Sequence, residues 1–383
     1  MSLQELQKEQ EQWFNYLHTH PELSMREVET TAYLKKVLST LPVKILPWQL
    51  PTGFVAELEG EKGEGPTIAL RADIDALPIE ESPRHTLCSK NKGVMHACGH
   101  DFHTASLLGA IALLCQKKAE LRGKVKFLFQ PAEEAEHGGQ KVVETGILKD
   151  VDAIFGLHVD HELPAKVIAV SPGPCNAACD RFSISIIGKG CHGANPAAGK
   201  DPITSGAYLV TMIQQIISRE LNAFEQGVVS VTRFKAGNSW NVIPDQAELE
   251  GTVRSLDEAV RDKINQRLKE ICEGTAMATG TQIVYEWLPG APALHNDEVF
   301  SEYVRTLALN RGLKVQDMEV SMGGEDFSCY RQTIPGAFFH IGVSSDFPLH
   351  NPSFEADLSG LSIAADLLAA IVLAFDTVYK TEK

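Results

Sequence analysis

The chain has 383 residues, 44% hydrophobic and 22% charged, a composition that predicts a soluble globular protein with room for two domains. Its formal net charge of −15 argues against a phosphate-binding surface, and so against a nucleic-acid partner. No apolar run approaches the roughly 18 residues of a membrane span, and Met1-Ser2-Leu3-Gln4-Glu5 lacks the basic and apolar segments of a signal peptide; no membrane partner and a cytoplasmic location are expected.

Through the first 40 residues, Trp13, Phe14, Leu17, Leu34, Val37 and Leu38 recur at helical spacing. Thr67 to Leu70 is an apolar run that leads into Arg71-Ala72-Asp73-Ile74-Asp75. The pattern predicts a helix over Thr104 to Leu121, a strand over Lys124 to Phe129 that runs into Gln130-Pro131-Ala132-Glu133-Glu134, and a strand over Ala153 to Leu157 that ends at His158. Apolar strands alternating with helices predict an α/β fold with a mostly parallel sheet covered by helices. In such sheets ligands bind at the carboxyl ends of the strands, where Asp73, Glu133, Glu134 and His158 fall.

The middle of the chain follows another pattern. A strand over Arg181 to Ile187, a helix over Pro202 to Ser218, strands at Val228 to Thr232 and Ala247 to Val253, a helix over Leu256 to Met277 and a strand over Thr281 to Trp287 give the order β-α-β-β-α-β. That order is ferredoxin-like. The expected division is a catalytic domain over 1–177 and 290–383, interrupted by an inserted domain over 178–289. Pro335 to Val343 resumes the buried-strand pattern, and His350 follows it.

Cys98 and His100 sit in Met95-His96-Ala97-Cys98-Gly99-His100-Asp101-Phe102-His103, the densest run of metal-ligand types. A Cys-x-His pair shares one face only where the backbone is extended, and Gly99 permits that turn. With Glu134, His158 and His350 the pair reads as a five-residue metal site. Thiolate and imidazole suit zinc, and carboxylate widens the range toward manganese. Of the adjacent glutamates, one can bind metal while Glu133 acts as general base toward a water that the metal acidifies; the alternative is a solvated turn. Asp73 or Asp75 can orient a ligand histidine, or simply start a turn. His96 and His103 flank the cluster as possible supports for it. His18 and His20 are expected to be structural, and His85, His137, His161 and His295 to lie in polar loops. A Cys98 nucleophile paired with His100 lacks an orienting third group. Eight cysteines without small-domain spacing predict thiols rather than disulfides, and Cys175 and Cys179 have no second pair to complete a zinc knuckle.

Seven blocks, in order, carry a resemblance that spans nearly the whole chain. They are His20-Pro21-Glu22-Leu23-Ser24 with Glu27, Arg71 to Ile79, Met95 to Asp101 with His103 and Thr104, Gln130 to Glu134, Asn241 to Asp245 with Gly251 to Arg254, Gly323 to Phe327, and Leu349 to Pro352. With these the chain resembles the amidohydrolases that include hippurate hydrolase, indole-acetyl-amino-acid hydrolase and N-acetyl-diaminopimelate deacetylase, distant relatives of aminoacylase. The resemblance implies hydrolysis of N-acyl amino acids with two divalent metal ions per chain, zinc or manganese first and nickel or cobalt as options. It implies Cys98, His100, Glu134, His158 and His350 as ligands, Cys98 as their bridge, Glu133 as general base and Asp73 as an orienting aspartate. It further implies His192 polarising the scissile carbonyl, substrate contacts from Asn241, Arg254 and Gly324, and a homodimer through the inserted domain. From spacing alone, Arg254 is equally a solvated strand end. A dipeptidase or aminopeptidase using the same metals is the alternative reading, and a non-catalytic protein of the same fold a minor one. Two departures bear on substrate choice: Ala197 stands where the pattern has a second histidine, and Phe102 replaces the common glycine between Asp101 and His103.

Overall fold

The computed structural model describes residues 3–83 and 86–376; His85 lies outside the described residues. The chain divides into two compact units, one of Met1–Gly173, His295–Glu319 and Asp326–Lys383, the other of Pro174–Leu294 and Val320–Glu325. The chain therefore enters the second unit twice, which the sequence pattern does not reveal.

The first unit is built on an eight-stranded sheet in the order Lys44–Ile45, Phe54–Glu59, Lys124–Gln130, Thr67–Asp73, Ala153–Asp160, Gly336–Gly342, Ile168–Ala169, Val315–Gln316. Thr67–Asp73 runs parallel to both its neighbours, and Gly336–Gly342 runs parallel to Ala153–Asp160. These four central strands are apolar on both faces because helices cover both. The antiparallel pairs lie toward the edges, where Lys44–Ile45 and Phe54–Glu59 turn back on the sheet. Pairing between Thr67–Asp73 and Ala153–Asp160 ends at Arg71 opposite Gly156, two residues short of both Asp73 and His158. The register thus delivers these side chains to the same end of the sheet.

Two helices, Leu3–Thr19 and Val28–Leu38, form the N-terminal region, with Pro21 in the break between them. His100–Gln116 is buried along nearly its whole length and packs on Leu361–Leu373 and Leu3–Thr19. Gly109 lets the three approach: a methyl group there would lie 2.5 Å from Gln10 Nε2 and 2.8 Å from the Ala365 methyl. Gln10 then clamps the contact by donating to the carbonyls of Ala105 and Leu361.

The second unit holds a four-stranded antiparallel sheet in the order Gly227–Ala236, Gln246–Ser255, Ala178–Ile187, Gln282–Leu288. Two helices, Pro202–Gln215 and Glu258–Thr279, follow the first and third of these strands in the chain. This is the ferredoxin-like arrangement. Phe182, Ile184, Ile186, Leu249 and Val253 alternate onto the helical side and pack with Leu209, Ile213, Ile264 and Leu268. The predicted 202–218 helix ends as an α-helix at Gln215 and continues as a π-turn over Ile216–Glu220. No helix among the described residues is long and apolar enough to cross a membrane.

Candidate metal centre

The Cys98–His100 segment is not extended, contrary to the sequence expectation. Gly99 is left-handed (φ 82°) and caps a helix whose first residue is His100, four residues before the predicted start at Thr104. The left-handed turn, rather than a strand, separates the thiol from the imidazole. It also needs glycine for space, because a Cβ there would fall 2.4 Å from Val159 Cγ2.

Three histidines offer the same atom. His100 Nδ1 donates to the Asp75 carbonyl at 2.9 Å, and His158 Nδ1 donates to the Val159 carbonyl at 2.7 Å. Each bond fixes the tautomer and leaves Nε2 as a lone-pair donor. His158 Nε2 lies 3.4 Å from Cys98 Sγ, and His350 Nε2 lies 3.3 Å from the same sulfur. Glu134 Oε1 lies 3.4 Å from His350 Nε2 and 3.9 Å from His100 Nε2. Bonds of about 2.0–2.3 Å to a tetrahedral ion put neighbouring donor atoms roughly 3.4 Å apart. The observed spacings have that size.

The donors also sort into groups. Cys98, His100 and His158 converge as one set of three, and Cys98, Glu134 and His350 as another. Cys98 belongs to both. His100 Nε2 and Glu134 Oε1 are buried without a hydrogen-bond partner, a costly arrangement unless a ligand satisfies them. Burial, and next the charge of Glu134, pushes the Cys98 thiol well up, so a thiolate there calls for a cation. Burial, with His103 next, holds His158 well below its usual range and keeps it neutral, as a ligand must be. Burial also works against a charged His100, but Asp73 and the bonds to Asp75 and Cys98 outweigh it and raise its affinity for a proton. A cation would compete with that proton for Nε2. The five residues therefore fit a divalent metal.

Glu133 and Glu134 sit on a tight turn after the Lys124–Gln130 strand. Ala132 is left-handed (φ 59°), and the next two amides donate to Asp75, Glu133 N to Oδ1 at 3.1 Å and Glu134 N to Oδ2 at 3.0 Å. Glu133 accepts a long bond, 3.4 Å, from the Asp326 amide and lies within ligand range of His100 together with Glu134. His350 is also left-handed (φ 63°), and its amide donates to the Ala97 carbonyl at 2.8 Å. Two non-glycine residues in this strained region thus flank the site.

Asp73 lies at the floor of the site. One oxygen meets His103 Nδ1 at 2.6 Å, and the other meets Arg71 at 2.7 Å and His100 Nε2 at 3.6 Å. Burial would raise its pKa, but Arg71 and the two histidines hold it well below the carboxylate range. His103 accepts at Nε2 from the Val159 amide, so both its ring nitrogens are engaged and it supports the site rather than coordinating. Arg71, fully buried, also reaches Gln130 and Asp326. Arg71 and Asp326 fall in two of the blocks that carry the resemblance, but the sequence assigns neither a role, because a buried arginine looks like any other strand residue. His96 is buried, neither ring nitrogen has a partner among the described residues, and burial lowers its pKa to about 4. None of the eight cysteines forms a disulfide among the described residues; Cys175 is buried and Cys179 half-buried.

The remaining predicted site residues belong to the second unit. His192 and Asn241 are neighbours, because Cys191–His192 pairs with Val242–Ile243 and Gly193 N donates to the Asn241 carbonyl at 2.8 Å. Asn241 Oδ1 accepts from Ser239. Arg254 lies on the open face of the four-stranded sheet, lining a cavity of about 410 Å³ with Cys179, Arg181, Thr232 and Glu250. Gly324 approaches Cys179 closely, since a Cβ there would lie 2.7 Å from its sulfur.

A mostly parallel-sheet unit gathers a thiol, three imidazoles and a carboxylate beside a second carboxylate, and, with the family match below, this makes the chain a metal-dependent hydrolase acting on amides. Residues 69–374 match the model of peptidase family M20/M25/M40, and the chain belongs to that family. It is 44% identical over 364 residues to N-acetylcysteine deacetylase of Bacillus subtilis (strain 168), covering 94% of this chain and 96% of that protein. It is 36% identical over 369 residues to thermostable carboxypeptidase 1 of Saccharolobus solfataricus, covering 94% and 93%. The Bacillus subtilis YXEP protein, described as a dinuclear metal binding peptidase from M20 family, superposes with a TM-score of 0.88 at 41% identity, covering 97% of this chain and 99% of that one.

Proposed function

We propose that this chain hydrolyses N-acyl amino acids, using two divalent cations held by Cys98, His100, Glu134, His158 and His350, with Cys98 shared between them. The observation that carries this reading is the pair of three-donor groups that share one sulfur, with Glu133 beside them. The cations would supply the charge that acidifies a water and polarises the acyl carbonyl. Glu133 takes the proton from the attacking water and returns it to the departing nitrogen. Asp73 is proposed as an orienting aspartate, acting through its bond to His103 Nδ1. His192 is proposed to stabilise the oxyanion, and Asn241, Arg254 and Gly324 to contact substrate, Arg254 through the fork that suits a carboxylate. A thiolate beside three imidazoles and a carboxylate favours zinc or manganese, with nickel or cobalt as options.

The carboxypeptidase relative supports a second reading, but the two share one bond type. A deacylase for amino acids and a carboxypeptidase both cut the amide that precedes a residue with a free carboxylate. The discriminating variable is the acyl side. A panel of N-acetyl and N-benzoyl amino acids against dipeptides, run on zinc- and manganese-loaded protein, reads it directly. In the same assay Glu133→Ala should keep both metals by elemental analysis and lose at least about 10³-fold in kcat; a variant within tenfold of wild type would remove Glu133 from the mechanism.

A homodimer through the second unit is part of the proposal. That unit exposes Tyr208, Met212, Phe224, Phe234 and Trp240, the last at 96%, side chains that a second copy would cover. Its Gly227–Ala236 strand also forms a sheet edge. Sedimentation should give twice the 41.8 kDa chain mass, and Phe234→Asp should shift it to the monomer. The cytoplasm is the proposed location.

A further inference from the structure

The turn that presents Glu133 and Glu134 is unusual in how it is held. Three successive amides, those of Ala132, Glu133 and Glu134, all donate to buried carboxylates. Glu27 takes the first at 2.9 Å, and Asp75 takes the next two, one on each oxygen. Consecutive N–H groups around a left-handed residue form a concave anion-binding nest, and here side chains of the protein itself fill it.

Asp75 does more than fill the nest. It is fully buried, and its backbone carbonyl accepts from His100 Nδ1 at 2.9 Å, while its Oδ1 lies 3.3 Å from the same nitrogen. Ser24 donates to Oδ2 at 2.7 Å and fixes the carboxylate plane. One residue thus holds the ring of a predicted ligand from one side and the carboxylate-bearing turn from the other. We infer that Asp75 is a positioning residue that sets, together, the aim of His100 Nε2 and the reach of Glu133 and Glu134. Asp73 cannot substitute, because both its oxygens are taken by Arg71 and His103. Glu27 supports the same turn, through Ala132 alone, while Thr52 anchors its other oxygen at 2.6 Å.

This inference rests on the proposed roles of His100, Glu133 and Glu134. Asp75→Asn is the informative change, because an amide of the same shape must point an N–H donor at the Glu133 or Glu134 amide. Three readouts are taken on the full chain: metal affinity by competition with a chromogenic chelator, the visible bands of the cobalt-substituted protein, and kcat and KM on the best substrate of the panel above. The expected result is metal affinity weakened 10–100-fold, altered cobalt bands, and, at saturating metal, kcat lowered about 100-fold with KM within threefold. Loss of denaturation midpoint with unchanged cobalt bands and saturated kcat would reduce Asp75 to a structural residue and overturn the inference. Should Asp75→Asn fail to fold, Ser24→Ala decides. It removes only the 2.7 Å bond to Asp75 and should shift the cobalt bands and lower kcat three- to tenfold; no change in either overturns the inference. Wild-type protein that binds metal but cleaves nothing in the panel would sink the functional reading, while the affinity and cobalt readouts would still judge Asp75.

Discussion

Which atom each proposed ligand would offer follows from what its side chain does with its other atoms. His100 and His158 give away Nδ1–H to backbone carbonyls, so neither ring can turn Nε2 away from Cys98 without breaking that bond. His103 spends both nitrogens and drops out. The bonds thus set His100, a proposed ligand, apart from His103, a proposed support, although the two look equivalent in Met95 to His103. The contribution of sulfur can be isolated as well. Cys98→Ser keeps nearly the same shape but replaces a soft thiol by a hydroxyl that stays protonated near neutrality. Because the sulfur is common to both three-donor groups, the variant should lose metal at both positions. Elemental analysis after dialysis should find well under one ion per chain. Retention of two ions would contradict the sharing.

At the scale of elements, the turns aim these donors. Gly99 caps the His100–Gln116 helix in the left-handed region and touches Val159, the residue after His158. Gly99→Ala adds left-handed strain of about 1–2 kcal/mol and a Cβ 2.4 Å from Val159 Cγ2. It should therefore cost about 2–4 kcal/mol in urea unfolding and weaken metal binding. Gly93→Ala is the control, because Gly93 is also left-handed (φ 77°) but a Cβ there meets nothing closer than 3.8 Å. It should show the strain and leave metal affinity unchanged. Equal metal affinities in the two variants would detach Gly99 from the site. The same turns mark where sequence patterns stop informing. The central strands were legible because double-sided burial writes them as unbroken apolar runs, and the inserted β-α-β-β-α-β unit because one-sided burial makes its strands alternate. The His100 helix start was misread at Thr104, because its first turn carries buried polar residues, His100, Asp101 and His103, that break apolar periodicity. The two-residue strands at Lys44–Ile45 and Ile168–Ala169 are too short to leave any period. The Ala132 and His350 conformations are set by tertiary bonds, from Glu27, Asp75 and Ala97, that no local pattern encodes.

At the scale of the whole molecule, stability of the first unit depends on a buried charge that sits behind the site. His18, on the N-terminal helix, bridges Asp101 at 2.7 Å and Glu81 at 3.1 Å. Burial disfavours its charge, but the bonds to Asp101 and Glu81 outweigh burial and raise its pKa to about 10. The same pairing helps hold Asp101 below the usual carboxylate range against burial. The folded His18 value lies above the roughly 6.5 of an unfolded histidine, so its contribution is whole below that pH and fades as pH rises through about 10. Asp101, shifted down, contributes above about pH 4 and loses that contribution as pH falls through its folded value. Between those limits the pair joins the Leu3–Thr19 helix to the start of the His100–Gln116 helix. Removing one partner of a buried pair strands the other, at a cost of about 3–5 kcal/mol. His18→Gln should therefore lie about 3 kcal/mol below wild type in urea unfolding at pH 7. The gap should already be narrower at pH 9 and smallest at pH 10.5, because above about 6.5 the unfolded histidine no longer binds the proton that the folded one keeps up to about 10. A gap that stays constant over these three values would mean that His18 acts through packing against Phe14, on which its ring stacks at 5.3 Å, and not through its charge.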